Sequence, residues 1–308
     1  MKIIRGLHNL QGKVSGCVAT IGNFDGVHLG HQMVVERLAK KGSELGLPTA
    51  VIIFEPQPME FFNPNSAPAR LTRFREKIEY LSRLSVDTVL VLEFNHPFSS
   101  LKADEFVDQV LVEGLKLKHL IVGDDFRFGE QRQGDFSFLQ KSGGLHGFGV
   151  ENTNSFLVNN ERVSSTLIRN ALREGLLKKA SDYLGRDYSI CGRVVHGKKI
   201  GRSIDFPTAN IKVNRKKSPI QGVFAVRMSG LGGRVIDGVA NIGVKPTLEG
   251  DSRLLLEVHL FDFDEEIYGQ HVEVHFIKKI REEQKFGSLD ALKQQIRKDS
   301  EVARLATA

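Results

Sequence analysis

Three groups of residues in this chain have types and spacings that suit phosphate chemistry. The first is Thr20-Ile21-Gly22-Asn23-Phe24-Asp25-Gly26-Val27-His28-Leu29-Gly30-His31, where an apolar run gives way to a glycine turn and then to a helical pattern. Helix N-termini present free N–H groups and a partial positive charge to anions. Gly22, Gly26 and Gly30 let the backbone come close to a ligand. His28 and His31, three apart, share one helical face at the mouth of such a site. The run carries neither the Gly-x-Gly-x-x-Gly dinucleotide fingerprint nor the Gly-Lys-Ser/Thr ending of a P-loop. The run therefore reads either as an anion site with two histidines at its mouth, or as a turn whose histidines are surface or satisfied core groups.

The second group is Ser164-Ser165-Thr166-Leu167-Ile168-Arg169. Ser164 or Ser165 can cap a helix there, and Arg169, one turn in, offers a planar fork to phosphate. The third lies further on. In Phe206-Pro207-Thr208-Ala209-Asn210 the hydroxyl and the amide are two apart and share a face in an extended segment. Side by side they suit Mg²⁺ and its phosphates, or else a polar turn entering a strand. Glu257, inside Leu254–Phe261, shares a face with Leu255 and His259. It reads either as a general base for a hydroxyl proton or as a solvent-facing residue on a barrel exterior. Two further stretches, Phe54-Glu55-Pro56-Gln57-Pro58 and Gly123 to Gly129 with Asp125, Phe126 and Phe128, follow strand patterns. Their aromatic and proline residues can border a flat ring, or in the case of Phe126 and Phe128 simply fill core.

Such residues need a scaffold, and the pattern around them supplies two. Up to Gly185, short Val/Ile/Leu-rich runs (Cys17–Phe24, Thr49–Phe54, Thr88–Phe94, His119–Asp124) alternate with helical patterns over Leu29–Leu45, Thr72–Leu84 and Ala103–Leu115. That alternation predicts a parallel sheet with helices on its faces, whose ligands sit at the carboxyl ends of the strands. Helices over Ser164–Glu174 and Leu177–Leu184 follow, and Gly185 ends the second. Beyond it come strand patterns at Tyr188–Val195, Gly222–Met228, Val235–Ile242, Leu254–Phe261 and His271–Ile280, then a helix over Leu289–Lys298 with apolar positions 289, 292 and 296. Successive short strands without intervening helices predict an antiparallel sandwich or barrel. At 308 residues the chain suits two domains, read as 1–185 and 186–308.

Composition narrows the function classes. The net charge is +6. Residues 1–185 hold 22 Lys and Arg against 21 Asp and Glu, and the remainder 21 against 16, so the excess lies in the second part. Mild basicity of this kind fits an anionic ligand such as ATP, and would also fit nucleic acid. The basic strands offer little of the aromatic interleaving that single-strand binding uses, so no nucleic-acid partner is expected. No apolar run approaches the ~18 residues of a membrane helix. The N-terminus has no long apolar core, which argues against a signal peptide and places the chain in the cytoplasm. Cys17 and Cys191 are too few and too far apart for a disulfide framework or a zinc cluster.

Together these segments closely resemble the bacterial bifunctional riboflavin kinase/FAD synthetase family over nearly the whole chain. The match is carried by Gly22 to His31, Gly123 to Gly129, Ser164 to Arg169, Gly201-Arg202, Phe206 to Asn210 and Asn241-Ile242-Gly243. The resemblance implies a Rossmann-like FMN adenylyltransferase domain followed by a small β-barrel flavokinase domain. The barrel would phosphorylate riboflavin with Mg-ATP to give FMN, and the first domain would join AMP from a second ATP to FMN, giving FAD and pyrophosphate. It further implies that His28 and His31 stabilise adenylyl transfer, with ATP contacts from Gly22, Phe24, Asp25, Gly30, Ser164, Ser165, Thr166 and Arg169. Phe54, Pro56, Pro58, Asp125 and Phe128 would border the flavin there. In the barrel, Gly201, Thr208 and Asn210 would bind ATP, Thr208 and Asn210 would hold Mg²⁺, Glu257 would be the base and Arg281 would lie near the flavin. One departure is Lys245, where the family usually has an Arg; a lysine cannot reproduce a bidentate fork, and no contact is assigned to it.

Overall fold

A computed structural model of the chain describes all residues except 11–15, 124, 154–155, 159, 198–205, 216 and 247–251, and leaves the side chains of 245, 246, 252 and 253 undescribed. Contacts divide it into two compact units, Met1–Pro68 with Phe74–Val163, and Ala69–Arg73 with Ser164–Ala308.

The first unit is built on a six-stranded sheet in the order β1-β4-β3-β2-β5-β6. Its strands are β1 (Lys2–Arg5), β2 (Cys17–Ile21), β3 (Thr49–Phe54), β4 (Thr88–Leu92), β5 (Leu117–Gly123) and β6 (Gly149–Thr153), and every pairing is parallel. The central strands β2 and β3 are buried at every position, as strands covered on both faces must be. Their alternate residues feed two cores, one with Ala19, Ile21, Ile52 and Leu120, the other with Val18, Val51, Ile53 and Ile121. The helix α1 (Leu29–Leu45) packs Val35, Leu38 and Gly42 inward and ends at Gly46, whose φ of 63° is the left-handed cap.

The helices α2 (Pro58–Phe62), α3 (Phe74–Ser82), α4 (His96–Ser99), α5 (Ala103–Phe106) and α6 (Phe136–His146) complete this part of the chain. The segment expected as one helix over Ala103–Leu115 is α at its start and a wider π-helix over Val107–Gly114. The expected strand Cys17–Phe24 stops at Ile21, because Phe24 turns into the left-handed region at φ 47°. Two-residue strands β7 (Leu157–Val158) and β8 (Glu161–Arg162) form a small ribbon.

In the second unit, α7 (Ser165–Arg173) and α8 (Leu177–Leu184) precede a closed barrel. Its strands are β9 (Ser189–Val195), β10 (Ala209–Lys212), β11 (Gly222–Leu231), β12 (Arg234–Pro246), β13 (Ser252–Leu260) and β14 (His271–Arg281), ordered β10-β13-β12-β11-β14-β9. All pairings are antiparallel. Along β13 the buried Leu254, Leu256, Val258 and Leu260 point inward and the positions between them outward. The final helix α9 spans Leu289–Thr307, longer than its first apolar positions suggest. Its buried face is Asp299, Ala303 and Thr307, four apart, whereas Leu289 is 60% exposed. Ala303 seals the outer side of the barrel over Val223, Ala225, Val239 and Phe261.

The Ala69–Arg73 segment belongs to this unit because arginines hold its backbone. Arg169 Nε donates to the Ala69 carbonyl at 2.7 Å, Arg215 donates to the Arg70 carbonyl at 2.9 Å, and Arg73 donates to the Val213 carbonyl at 3.0 Å.

Candidate active sites

At the carboxyl end of β2 the chain makes one sharp turn before α1. Phe24 and Val27 both take left-handed angles, φ 47° and 42°. For a β-branched residue such as Val27 this is strained backbone, of the kind held in place where a loop must present groups precisely. The turn is packed shut: Phe24, Asp25, Val27 and His28 are all buried. His28 is the N-cap of α1, its Nδ1 accepting the His31 backbone N–H at 3.3 Å. An Nδ1 that accepts leaves the ring proton of a neutral imidazole on Nε2, as a donor. The His31 ring stacks on His28 with centroids 3.6 Å apart and 18° between planes, and tilts against Phe24 at 4.8 Å. Gly30 makes room for this pair, since a Cβ there would meet the His28 ring at 3.2 Å. The two histidines expected to act together are therefore one stacked unit at a helix N-terminus. Gly22 lies at the start of the same turn, its N–H bound to the Ile52 carbonyl at 3.1 Å.

The residues proposed beside a flat ring take different positions. Phe54 and Phe128 are buried members of the core, while Pro56 is exposed and Pro58 opens α2. Phe128 stacks on Phe126 at 5.6 Å and meets Phe106 at 5.1 Å. Phe54 touches Phe94 and Phe98 at 5.8 and 5.7 Å, extending the aromatic group along the strand ends. Asp125 is exposed and pairs with Arg162 at 3.3 Å.

Ser164 caps α7, its Oγ accepting the Leu167 N–H at 3.2 Å; of the two serines that could do so, the first does. Ser165 and Thr166 form the first turn, with Thr166 exposed. These residues and Arg169 belong to the second compact unit, and the histidine pair to the first.

The barrel brings its candidates together by register. Asn210 of β10 is the direct cross-strand partner of Glu257 on β13, and Glu257 of Asn241 on β12. Asn241 in turn faces Val223 of β11, and Val223 faces Arg281 of β14. Directly paired residues project from the same face, so one outward row reads Asn210, Glu257, Asn241, Val223, Arg281. Glu257 is on the barrel exterior, as one of its two sequence readings held, but it is half-buried between two amides. A Cβ at Gly197 would collide with the Asn210 amide, so that glycine lets the chain lie against it. Thr208 immediately precedes β10 and is half-buried. The entry to β10 is pinned to β13 through His259, whose Nδ1 lies 2.8 Å from the Pro207 carbonyl and whose ring meets Phe206 at 5.4 Å.

Arg281 is held by α9. Its Nε and Nη2 donate to the Asp299 carboxylate at 2.8 to 3.1 Å, and Gln295 donates to the same carboxylate at 2.9 Å. Asp299 is 3% exposed. Gly201 lies outside the described residues, as does the Lys245 side chain. The sequence marks Asn241 only as part of a motif, and does not mark Asp299. The signal available for Asn241 was its position two residues before a glycine in an outward-facing stretch of an apolar strand.

Known proteins carry both halves of this arrangement. Residues 10–167 match the family model described as FAD synthetase, and residues 184–307 the one described as riboflavin kinase. The bifunctional riboflavin kinase/FMN adenylyltransferase of Haemophilus influenzae is 52% identical over 304 residues, covering 99% of this chain and 98% of that one. The Escherichia coli K12 and Pseudomonas fluorescens proteins of the same description are each 50% identical, over 99% and 100% of this chain and 97% and 98% of their own length. A solved structure described as a macrolide-efflux protein from Streptococcus pneumoniae has the same architecture, with a TM-score of 0.84, 29% identity and 99% of each chain covered. The chain belongs to the bifunctional riboflavin kinase/FMN adenylyltransferase family, with the FAD synthetase part N-terminal and the flavokinase part C-terminal.

Proposed function

We propose that the outward row of the barrel is the riboflavin kinase site and the stacked histidine pair the heart of the adenylyltransferase site. In the barrel, Glu257 takes the proton of the riboflavin 5′-hydroxyl as that oxygen attacks the γ-phosphorus of ATP, and ADP leaves. Thr208 and Asn210, on the β10 side of that base, would hold Mg²⁺ with the ATP phosphates. The observation that supports this most directly is the register making Asn210 and Glu257 cross-strand partners. The donor set fits the ion: a hydroxyl and an amide oxygen suit a hard cation that keeps waters and phosphate ligands. Among the described residues no three His, Cys, Asp or Glu side chains converge as a softer metal would want. When bound, Mg²⁺ neutralises the charge developing on the transferred phosphoryl group.

In the N-terminal part, His28 and His31 donate to the phosphates of a second ATP while an FMN phosphate oxygen attacks the α-phosphorus and pyrophosphate departs. Gly22, Phe24, Asp25 and Gly30 shape the nucleotide's bed, and Ser164, Ser165, Thr166 and Arg169 are the second set of ATP contacts. Phe54, Pro56, Pro58, Asp125 and Phe128 border the FMN of adenylyl transfer, and Arg281 lies near the riboflavin of the kinase reaction. We place the boundary between the two activities at Gly185, the left-handed cap of α8. The chain's excess basic charge serves small anionic substrates and not nucleic acid. Two buried free thiols suit the cytoplasm, and no described helix is long and apolar enough to cross a membrane.

The test is a time course of products from riboflavin, ATP and Mg²⁺. FMN should rise first and FAD follow, with ADP and pyrophosphate released in equal amounts once FMN is steady. Combining Thr208→Ala with Asn210→Ala should raise the Mg²⁺ needed for FMN formation while leaving FAD formation from supplied FMN unchanged. An unaltered Mg²⁺ requirement for FMN would remove the metal role from this pair.

A further inference from the structure

On the barrel's outer face the donor end and the acceptor end of the kinase reaction are ordered by strand. Thr208 and Asn210 lie on the β10 side of Glu257, and Asn241 and Gly243 on the β12 side. In-line transfer puts the leaving ADP and the accepting alcohol on opposite sides of the transferred phosphorus. The alcohol's own chain therefore runs away from Glu257 over β12.

Two features wait there. The Asn241 Oδ1 is buried and has no hydrogen-bond partner among the described residues. Two residues on, roughly 7 Å along the strand, the carboxylate of Glu283 lies directly over the backbone of Gly243, in the space any Cβ would take. Glu283 follows the end of β14, is exposed, and makes no hydrogen bond or ion pair with a described residue. The buried Asn241 oxygen is unfavourable unless a donor arrives from outside, and the exposed carboxylate beside it is placed to accept from the same donor chain. A chain of hydroxyls is such a donor.

We propose that Glu283, seated on Gly243, is a substrate-positioning residue of the kinase: with Asn241 it accepts hydrogen bonds from the secondary hydroxyls of the ribityl chain and aims the terminal hydroxyl at Glu257. This rests on the reading of the 208–210–257 row as the kinase site. Gly243 is specified by the same function, because only a residue without Cβ leaves the carboxylate its seat.

The experiment is steady-state kinetics on the full chain with riboflavin and with its 2′-, 3′- and 4′-deoxy analogues, all of which keep the 5′-hydroxyl. Glu283→Gln should raise the KM for riboflavin about tenfold or more, as loss of a hydrogen bond to a charged acceptor does, with kcat, the KM for ATP and the Mg²⁺ requirement unchanged. For the analogue lacking the contacted hydroxyl the variant and the parent should have the same KM. Gly243→Ala, which pushes the intact carboxylate aside, should reproduce the KM rise, and Glu283→Asp should recover part of it. FAD formation from supplied FMN reports that each variant is folded. A KM rise equal for every analogue, a fall in kcat at constant KM, or a raised Mg²⁺ requirement in Glu283→Gln would overturn the proposal. Glu257→Gln separates the levels: if it is inactive as a kinase while Glu283→Gln is normal, only this inference fails; if it remains active, the site reading beneath it fails as well.

Discussion

In the N-terminal unit the candidate residues follow one another in a single turn past the end of a strand. In the barrel they stand mid-strand on separate strands, as much as 71 positions apart between Asn210 and Arg281. The histidine turn is fixed by its own strained backbone, by the N-cap bond and by the stacked rings. The barrel row is fixed by the register of strands that also carry the core. Chemistry held by a local turn can be altered with little effect on the rest of the fold, whereas chemistry held by register is tied to the stability of the whole barrel.

The largest effect should come from the middle of the row. Glu257→Gln keeps the shape and removes the base, and should slow FMN formation by about 10²–10⁴-fold, the usual worth of a general base. FAD formation from supplied FMN should be unaffected. Loss of both activities in folded protein would show that the two sites are not independent and would break the comparison at its root.

The turn should behave as the mirror image. His28→Asn retains an oxygen that can cap α1 but removes the ring, and His31→Ala removes the stacked partner. Each should slow FAD formation from FMN by about 10²–10³-fold, as loss of a preorganised donor does, while FMN formation and the unfolding midpoint stay close to the parent. A large fall in the midpoint for His28→Asn would mean that the pair is part of the scaffold, contrary to the contrast drawn above.

The same contrast explains what could be read in the sequence. Helices Leu29–Leu45 and Leu177–Leu184 and the strand Thr49–Phe54 have the predicted limits, because each helix ends at a left-handed glycine and the strand is a fully buried apolar run that begins after a proline. The strands β1 and β6 leave no such signal: they are short and lie at the two edges of the sheet, where burial on both faces no longer writes a continuous apolar run. α6 leaves none because Gly143 and Gly144 interrupt its pattern. His28 and His31 were legible because three residues of helix are enough to make them neighbours. Glu257 is ambiguous in the sequence because an exterior position does not exclude a function, and its pairing with Asn210 and Asn241 exists only in the barrel register. Glu283 follows another exposed glutamate, Glu282, and no periodicity distinguishes the two.

A third change tests whether register and stability are coupled in the barrel. Asp299→Ala leaves the Arg281 guanidinium without its carboxylate in a buried setting, and should cost about 3 kcal/mol in unfolding free energy. The readout is denaturant unfolding followed together with both activities. FMN formation should weaken as Arg281 loses its support, and FAD formation should persist below the new transition. If stability fell and FMN formation kept its parent KM for riboflavin, Arg281 would be a strut between β14 and α9 and not a neighbour of the flavin.

The smallest effect concerns the two helix caps, and it separates capping from phosphate binding. His28 caps α1 and Ser164 caps α7, each accepting the N–H three residues on. Ser164→Ala removes an ordinary cap and should lower stability by about 1 kcal/mol. That loss says nothing by itself about nucleotide. Ser164→Asp keeps an acceptor, and its charge favours a helix N-terminus, so stability should return to the parent value or above it. The same charge would oppose an incoming triphosphate. If the α7 N-terminus belongs to the nucleotide site, Ser164→Asp should therefore raise the KM for ATP in FAD formation while being the more stable of the two variants. If its KM for ATP is normal, Ser164 caps a helix and does no more, and the adenylyl chemistry is left to the residues of the histidine turn.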